Sequence, residues 1–182
     1  SPGRPALTPN VANWRDAVIS RYDKKNGITL GIVRKDSAQK YGWVRYKNGA
    51  SLGMFYSIKD TNRSYNAPLD KWRTPGVTQP RLFIKENTPK SLKYYNPLVQ
   101  EFGVFKLNNI WSIICPECDV CSLYTLTYIK AGSAWNGFTL GEISNRTDSI
   151  LTMYNSVLLP SGNMATVGSS ELEELRQIFR SE

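Results

Sequence analysis

The sequence predicts a mainly β domain, an antiparallel sheet closed like a barrel or stacked as a sandwich, with a short helix near its start and another at its end. Three observations carry that expectation. Short runs rich in β-branched and aromatic residues recur along most of the chain, the pattern of half-buried strands. Turn-forming dipeptides punctuate them, with Asn48-Gly49 a strong two-residue hairpin signal. The strand-to-strand spacing suits a sandwich or barrel.

In order along the chain, residues 1–10, with prolines at 2, 5 and 9, read as an extended arm, and 11–182 as a single β-rich globular domain. Asn10 can cap a short helix in which Val11, Trp14, Val18 and Tyr22 fall on one apolar stripe. Asn26-Gly27 marks a turn, and strands are expected at 28–33, 42–46 and 52–58. Residues 59–78 lose the pattern and read as a long loop, a length usually associated with function. Further strands are expected at 81–85, 98–107, 111–115, 122–130, 138–143 and 150–159. Ser170 with Glu173 has the capping-box spacing, and Leu172, Leu175 and Phe179 line one face of a terminal helix.

Composition narrows the function. The chain contains no histidine, so Ser-His-Asp and Cys-His catalysis and histidine metal sites are excluded, and the balance moves from enzyme towards binding protein. Hydrophobic residues make up 41%, with ten tyrosines and five tryptophans, too apolar for a disordered chain. No run approaches the ~18 apolar residues needed to cross a bilayer. The net charge of +8 is unevenly spread: residues 1–110 hold 19 Lys/Arg against 7 Asp/Glu, and residues 111–182 hold 4 against 8. A basic front half favours polyanionic partners through salt-sensitive steering, although it is equally consistent with a solvated surface.

Few residue patterns carry chemistry. Cys115, Cys118 and Cys121 form two C-x-x-C steps that could present thiolates to a metal, but no distant Cys or His completes four ligands. A turn with free thiols or one local disulfide is favoured, and no metal or cofactor is expected. Ser37 and Lys40 have the S-x-x-K spacing of lysine-assisted acyl enzymes without the accompanying motifs. The better binding candidate is the segment Lys40 to Lys47. As a strand it places Tyr41, Trp43, Arg45 and Lys47 on one face, where rings and positive charge suit bases or sugars. The competing reading puts Trp43 in the core and leaves the basic residues to solvate the edge.

Gly31-Ile32-Val33, Lys40-Tyr41-Gly42-Trp43-Val44 and Phe55-Tyr56-Ser57-Ile58 together resemble the cold-shock type of OB-fold over about thirty residues. The second motif lacks its histidine here. The resemblance implies Tyr41, Trp43 and Phe55 as stacking residues of a single-stranded nucleic-acid-binding module, with RNA as partner. Taken whole, the chain resembles the protruding domain of a capsid protein from an iflavirus-type picorna-like insect virus. It opens at Ser1 without an initiator methionine and ends at Glu182, similar to a segment cut from a viral polyprotein. That resemblance implies a non-enzymatic domain on the virion surface, made in the host cytoplasm. It would sit beside other capsid proteins and attach to a host cell receptor, an anionic glycan or a membrane surface.

Overall fold

The computed structural model describes residues 18, 27–33, 43–46, 69, 84–85, 96–114, 122–152, 157–158, 164–165 and 168–180. Within them the architecture is helical, which corrects the expectation of a mainly β barrel or sandwich. Three helices dominate: α1 (Pro97–Ile114, 18 residues), α2 (Leu140–Thr152, 13 residues) and α3 (Ser169–Arg180, 12 residues). The strands are short. β1 (Ile28–Leu30) pairs antiparallel with β2 (Trp43–Tyr46), and β2 pairs parallel with β3 (Ile84–Lys85). A separate antiparallel pair joins β4 (Val157–Leu158) to β5 (Met164–Ala165). The expected barrel of the cold-shock resemblance falls with the fold class.

Helix α1 occupies two of the expected strands, 98–107 and 111–115. Its start is well encoded: Asn96 accepts a hydrogen bond from Val99 N at 3.3 Å, and Pro97 supplies a first helical residue that needs no donor. Leu98, Val99, Phe102, Phe105, Leu107 and Ile110 are all buried, so apolar positions run around most of the helix. A helix buried on several sides cannot be told from buried strands by periodicity. Asn109, between the two expected strands, is buried within the helix. Its Oδ1 accepts from Ser122 Oγ at 3.0 Å and Tyr124 N at 3.2 Å, and these bonds supply its side chain with partners that solvent would otherwise provide.

Helix α2 takes the place of most of the strand expected at 138–143 and of the start of the one expected at 150–159, within which Val157–Leu158 is strand β4. Its buried positions include Leu140, Ile143, Ser144, Thr147, Ile150 and Leu151, a 3.6-residue period in which Ser144 and Thr147 interrupt the apolar stripe. Both are satisfied, Thr147 Oγ1 donating to Ile143 O at 2.7 Å and Ser144 Oγ to Tyr124 Oη at 3.3 Å. Asn145-Arg146-Thr147 has the N-x-[ST] spacing of a glycosylation acceptor, and its threonine is packed inside.

Helix α3 stands where the sequence predicts, with Leu172, Leu175 and Phe179 buried. Its expected capping box does not form. Helical bonding begins two residues earlier, with Leu172 N bonded to Gly168 O at 3.3 Å. Glu173 instead grips Arg176 through Nη2 at 2.6 Å. The α1–α3 contact is aromatic, Phe179 lying with its ring centroid 4.7 Å from that of Phe102 and 4.9 Å from that of Phe105. Val18, the described member of the expected N-terminal stripe, is helical and buried in the same core, as is Leu69 from the expected 59–78 loop.

One polar clamp ties sheet to helices. Lys106 on α1 bonds Asp148 Oδ2 on α2 at 2.5 Å and Thr29 O on β1 at 2.9 Å. Asp148 Oδ1 accepts from Gly31 N at 2.8 Å, and Thr152 Oγ1 from Ile32 N at 2.7 Å. Burial pushes the Asp148 carboxyl above the usual carboxylate range, and the Lys106 ammonium and the Gly31 N–H pull it back down.

Candidate functional site

The described members of the predicted binding face do not form an open platform. Trp43 is 4% exposed, and Val44 and Tyr46 are buried, because β2 is the central strand and both its faces are covered. Trp43 Nε1 is buried with no hydrogen-bond partner among the described residues. Arg45 turns inward to its own sheet: its Nε donates to Thr29 Oγ1 at 3.3 Å, and its guanidinium lies 5.6 Å from the Trp43 ring centroid. The core reading of Trp43 is the one the structure matches. Tyr41, Lys47 and Phe55 lie outside the described residues, as do Cys115, Cys118 and Cys121. Among the described residues no group of His, Cys, Asp or Glu could hold a metal ion, and no helix is long and apolar enough to cross a membrane.

A different surface has the features of a contact site. Between a 3-10 turn (Leu123–Thr125) and α2, the chain makes a closed loop whose stems meet at an antiparallel bridge between Thr127 and Thr139. Tyr128 N bonds Phe138 O and Gly137 N bonds Tyr128 O, both at 2.8 Å, and Leu140 N bonds Leu126 O at 2.8 Å. The tip is a series of tight turns, Ser133 N to Lys130 O, Asn136 N to Ser133 O and Phe138 N to Trp135 O, braced by Lys130 N donating to Asn136 Oδ1 at 2.8 Å. Gly132 and Gly137 have φ of +79° and +85°, conformations that other L-residues adopt at a cost.

The loop is anchored at its base. Trp135 is buried, with its ring edge-on to Phe138 at 6.2 Å, and the Arg146 guanidinium covers Phe138 at 4.9 Å. Thr139 and Glu142 form a reciprocal capping box: Glu142 N donates to Thr139 Oγ1 at 3.2 Å, and Thr139 N to Glu142 Oε2 at 2.8 Å. The Thr139 N–H and the Thr139 hydroxyl, both donating to Oε2, hold the Glu142 carboxyl below the usual carboxylate range.

On this frame the outward side chains are apolar. Ile129 is 75% exposed and Leu126 41%. Lys130, its side chain 52% exposed, is the one charged residue between Ser122 and Gly141 and lies a loose 3.8 Å from Glu174. Leaving an isoleucine in water on a segment this tightly bonded forgoes roughly 2 kcal/mol of burial, and rigidity removes the ordering cost that a contact would otherwise carry. In the sequence, Leu126, Ile129 and Lys130 fall within the strand expected at 122–130. The missed signals were the glycines at 132 and 137 and the Thr139-x-x-Glu142 spacing.

The Lys106–Asp148 clamp is a further, partly buried polar cluster, but the three bonds among Lys106, Asp148, Thr29 and Gly31 are spent within the fold, which suits a structural lock. Comparison with family models, curated proteins and solved structures returns no match.

Proposed function

We propose that this chain is a non-enzymatic attachment domain, a surface domain of a viral capsid protein that engages the host cell through the loop at 126–139. The observation that carries the reading is Ile129, 75% exposed on a loop closed by backbone hydrogen bonds and a buried tryptophan. Exposed apolar side chains on a rigid frame favour contact with a partner over solvent, and the absence of histidine in the chain adds weight to binding over catalysis. The net charge of +8 speeds approach to an anionic cell surface.

Saturable binding of fluorescently labelled protein to cultured insect cells, read by flow cytometry, tests the reading. Ile129→Asp is expected to weaken binding about tenfold or more, the scale of one buried apolar anchor, while its circular dichroism matches that of the parent. Equal binding by the variant, or no saturable binding by the parent, contradicts the proposal.

A further inference from the structure

Alternate residues of the loop's first stem differ in where their backbone groups go. Tyr128 spends both N–H and C=O on the second stem, through Phe138 O and Gly137 N, and Leu126 O accepts from Leu140 N. Thr127 and Ile129 face the opposite way, and among the described residues neither their N–H nor their C=O groups have a hydrogen-bond partner. That is the bonding pattern of an open strand edge, in which every second residue offers a donor and an acceptor to a further strand. Leu126 is extended, with φ −69° and ψ 137°, and the exposed Ile129 side chain lies on the same stem. Natural edges are commonly protected by proline, a bulge or several charges. Here Lys130, immediately after Ile129, is the only such device.

We infer that the 126–130 stem accepts an extended acidic peptide segment of a partner protein, added as a third strand along the open edge of Thr127 and Ile129. The inference rests on the reading of this loop as the contact surface. Main-chain bonds to Thr127 and Ile129 would supply affinity, and a side chain packed on Ile129 would supply selectivity. The acidic character follows from charge complementarity. Lys130 is the sole charge between Ser122 and Gly141, with its side chain 52% exposed and paired only loosely, at 3.8 Å, with Glu174.

The test uses the full chain and an acetylated heptapeptide alternating valine and glutamate, with a counterpart in which lysine replaces glutamate. Binding of the acidic peptide, weakening as salt rises, is expected to slow amide hydrogen exchange at Thr127 and Ile129. Thr127→Pro removes one outward donor without removing an internal bond, and is expected to weaken the peptide about tenfold. Ile129→Ser keeps the donors and is expected to keep the exchange protection. Absence of binding, equal binding of the lysine peptide, or binding without protection of the two amides overturns the inference. Ile129-dependent binding to phosphatidylserine vesicles, without peptide binding, also overturns it while leaving the attachment reading intact. Peptide binding without cell binding sinks the attachment reading alone.

Discussion

Helix α2 carries two acids six positions apart whose surroundings treat them in opposite ways. Asp148, near the end of the helix, is buried in the clamp with Lys106 and Gly31, and burial raises its carboxyl. Glu142, in the first turn, is exposed at the root of the 126–139 loop, and its bonds from Thr139 lower its carboxyl. The clamp closes each polar group on another part of the fold. The loop closes only its inner row of backbone groups, and its outer row and Ile129 face water. The contrast separates a region that serves stability from one available for contact.

The largest expected effect breaks the clamp. Lys106→Met leaves Asp148 buried beside an apolar chain and is expected to cost about 3 kcal/mol near neutral pH, read as a lowered urea midpoint. Because protonation relieves a buried carboxylate, that cost should shrink in acid. The parent protein should show the related slope. A group whose folded value is raised contributes stability that is present below the ordinary carboxylate range and lost as pH rises through the raised value. Stability of the parent relative to Asp148→Asn is therefore expected to fall across that window and stay level above it. Glu142 has the opposite sign: its contribution is present above the ordinary carboxylate range and is lost as pH falls through the lowered value. Urea titrations of Glu142→Gln across acid pH check that the two slopes oppose each other. A smaller loss, about 1 kcal/mol, is expected for Thr139→Ala, which removes the cap of α2, with faster amide exchange at Tyr128 and Gly137 because the loop stems meet there. The smallest effect on stability, within about 0.5 kcal/mol, is expected for Ile129→Asp, whose side chain already lies in solvent.

Legibility in the sequence followed the strength of local signals. The short strands at 28–30, 43–46 and 84–85 fall inside expected strands, and the buried face of α3 was readable from Leu172, Leu175 and Phe179, because strong alternation and a clean amphipathic stripe survive folding. The two central helices were not read. In α1 apolar residues face several neighbours, so the helical period is blurred, and in α2 Ser144 and Thr147 occupy core positions. Start signals for both were present in Asn96-Pro97 and Thr139-x-x-Glu142, and β-branched and aromatic content outweighed them. The expected binding face fails at Trp43 for a tertiary reason: a central strand hides the ring that an edge strand would display. The open edge of Thr127 and Ile129 depends on which backbone groups the second stem takes, which residue types alone do not encode.

A paired comparison of Ile129→Asp and Lys106→Met tests the central claim, the division between a stabilising clamp and a binding loop. Cell-surface binding and urea midpoint are measured together at a temperature where both variants remain folded. Ile129→Asp is expected to keep the parent's midpoint and lose binding about tenfold or more, whereas Lys106→Met is expected to lose midpoint and bind as the parent does. Binding that follows stability in both variants, or that survives Ile129→Asp, would contradict that claim.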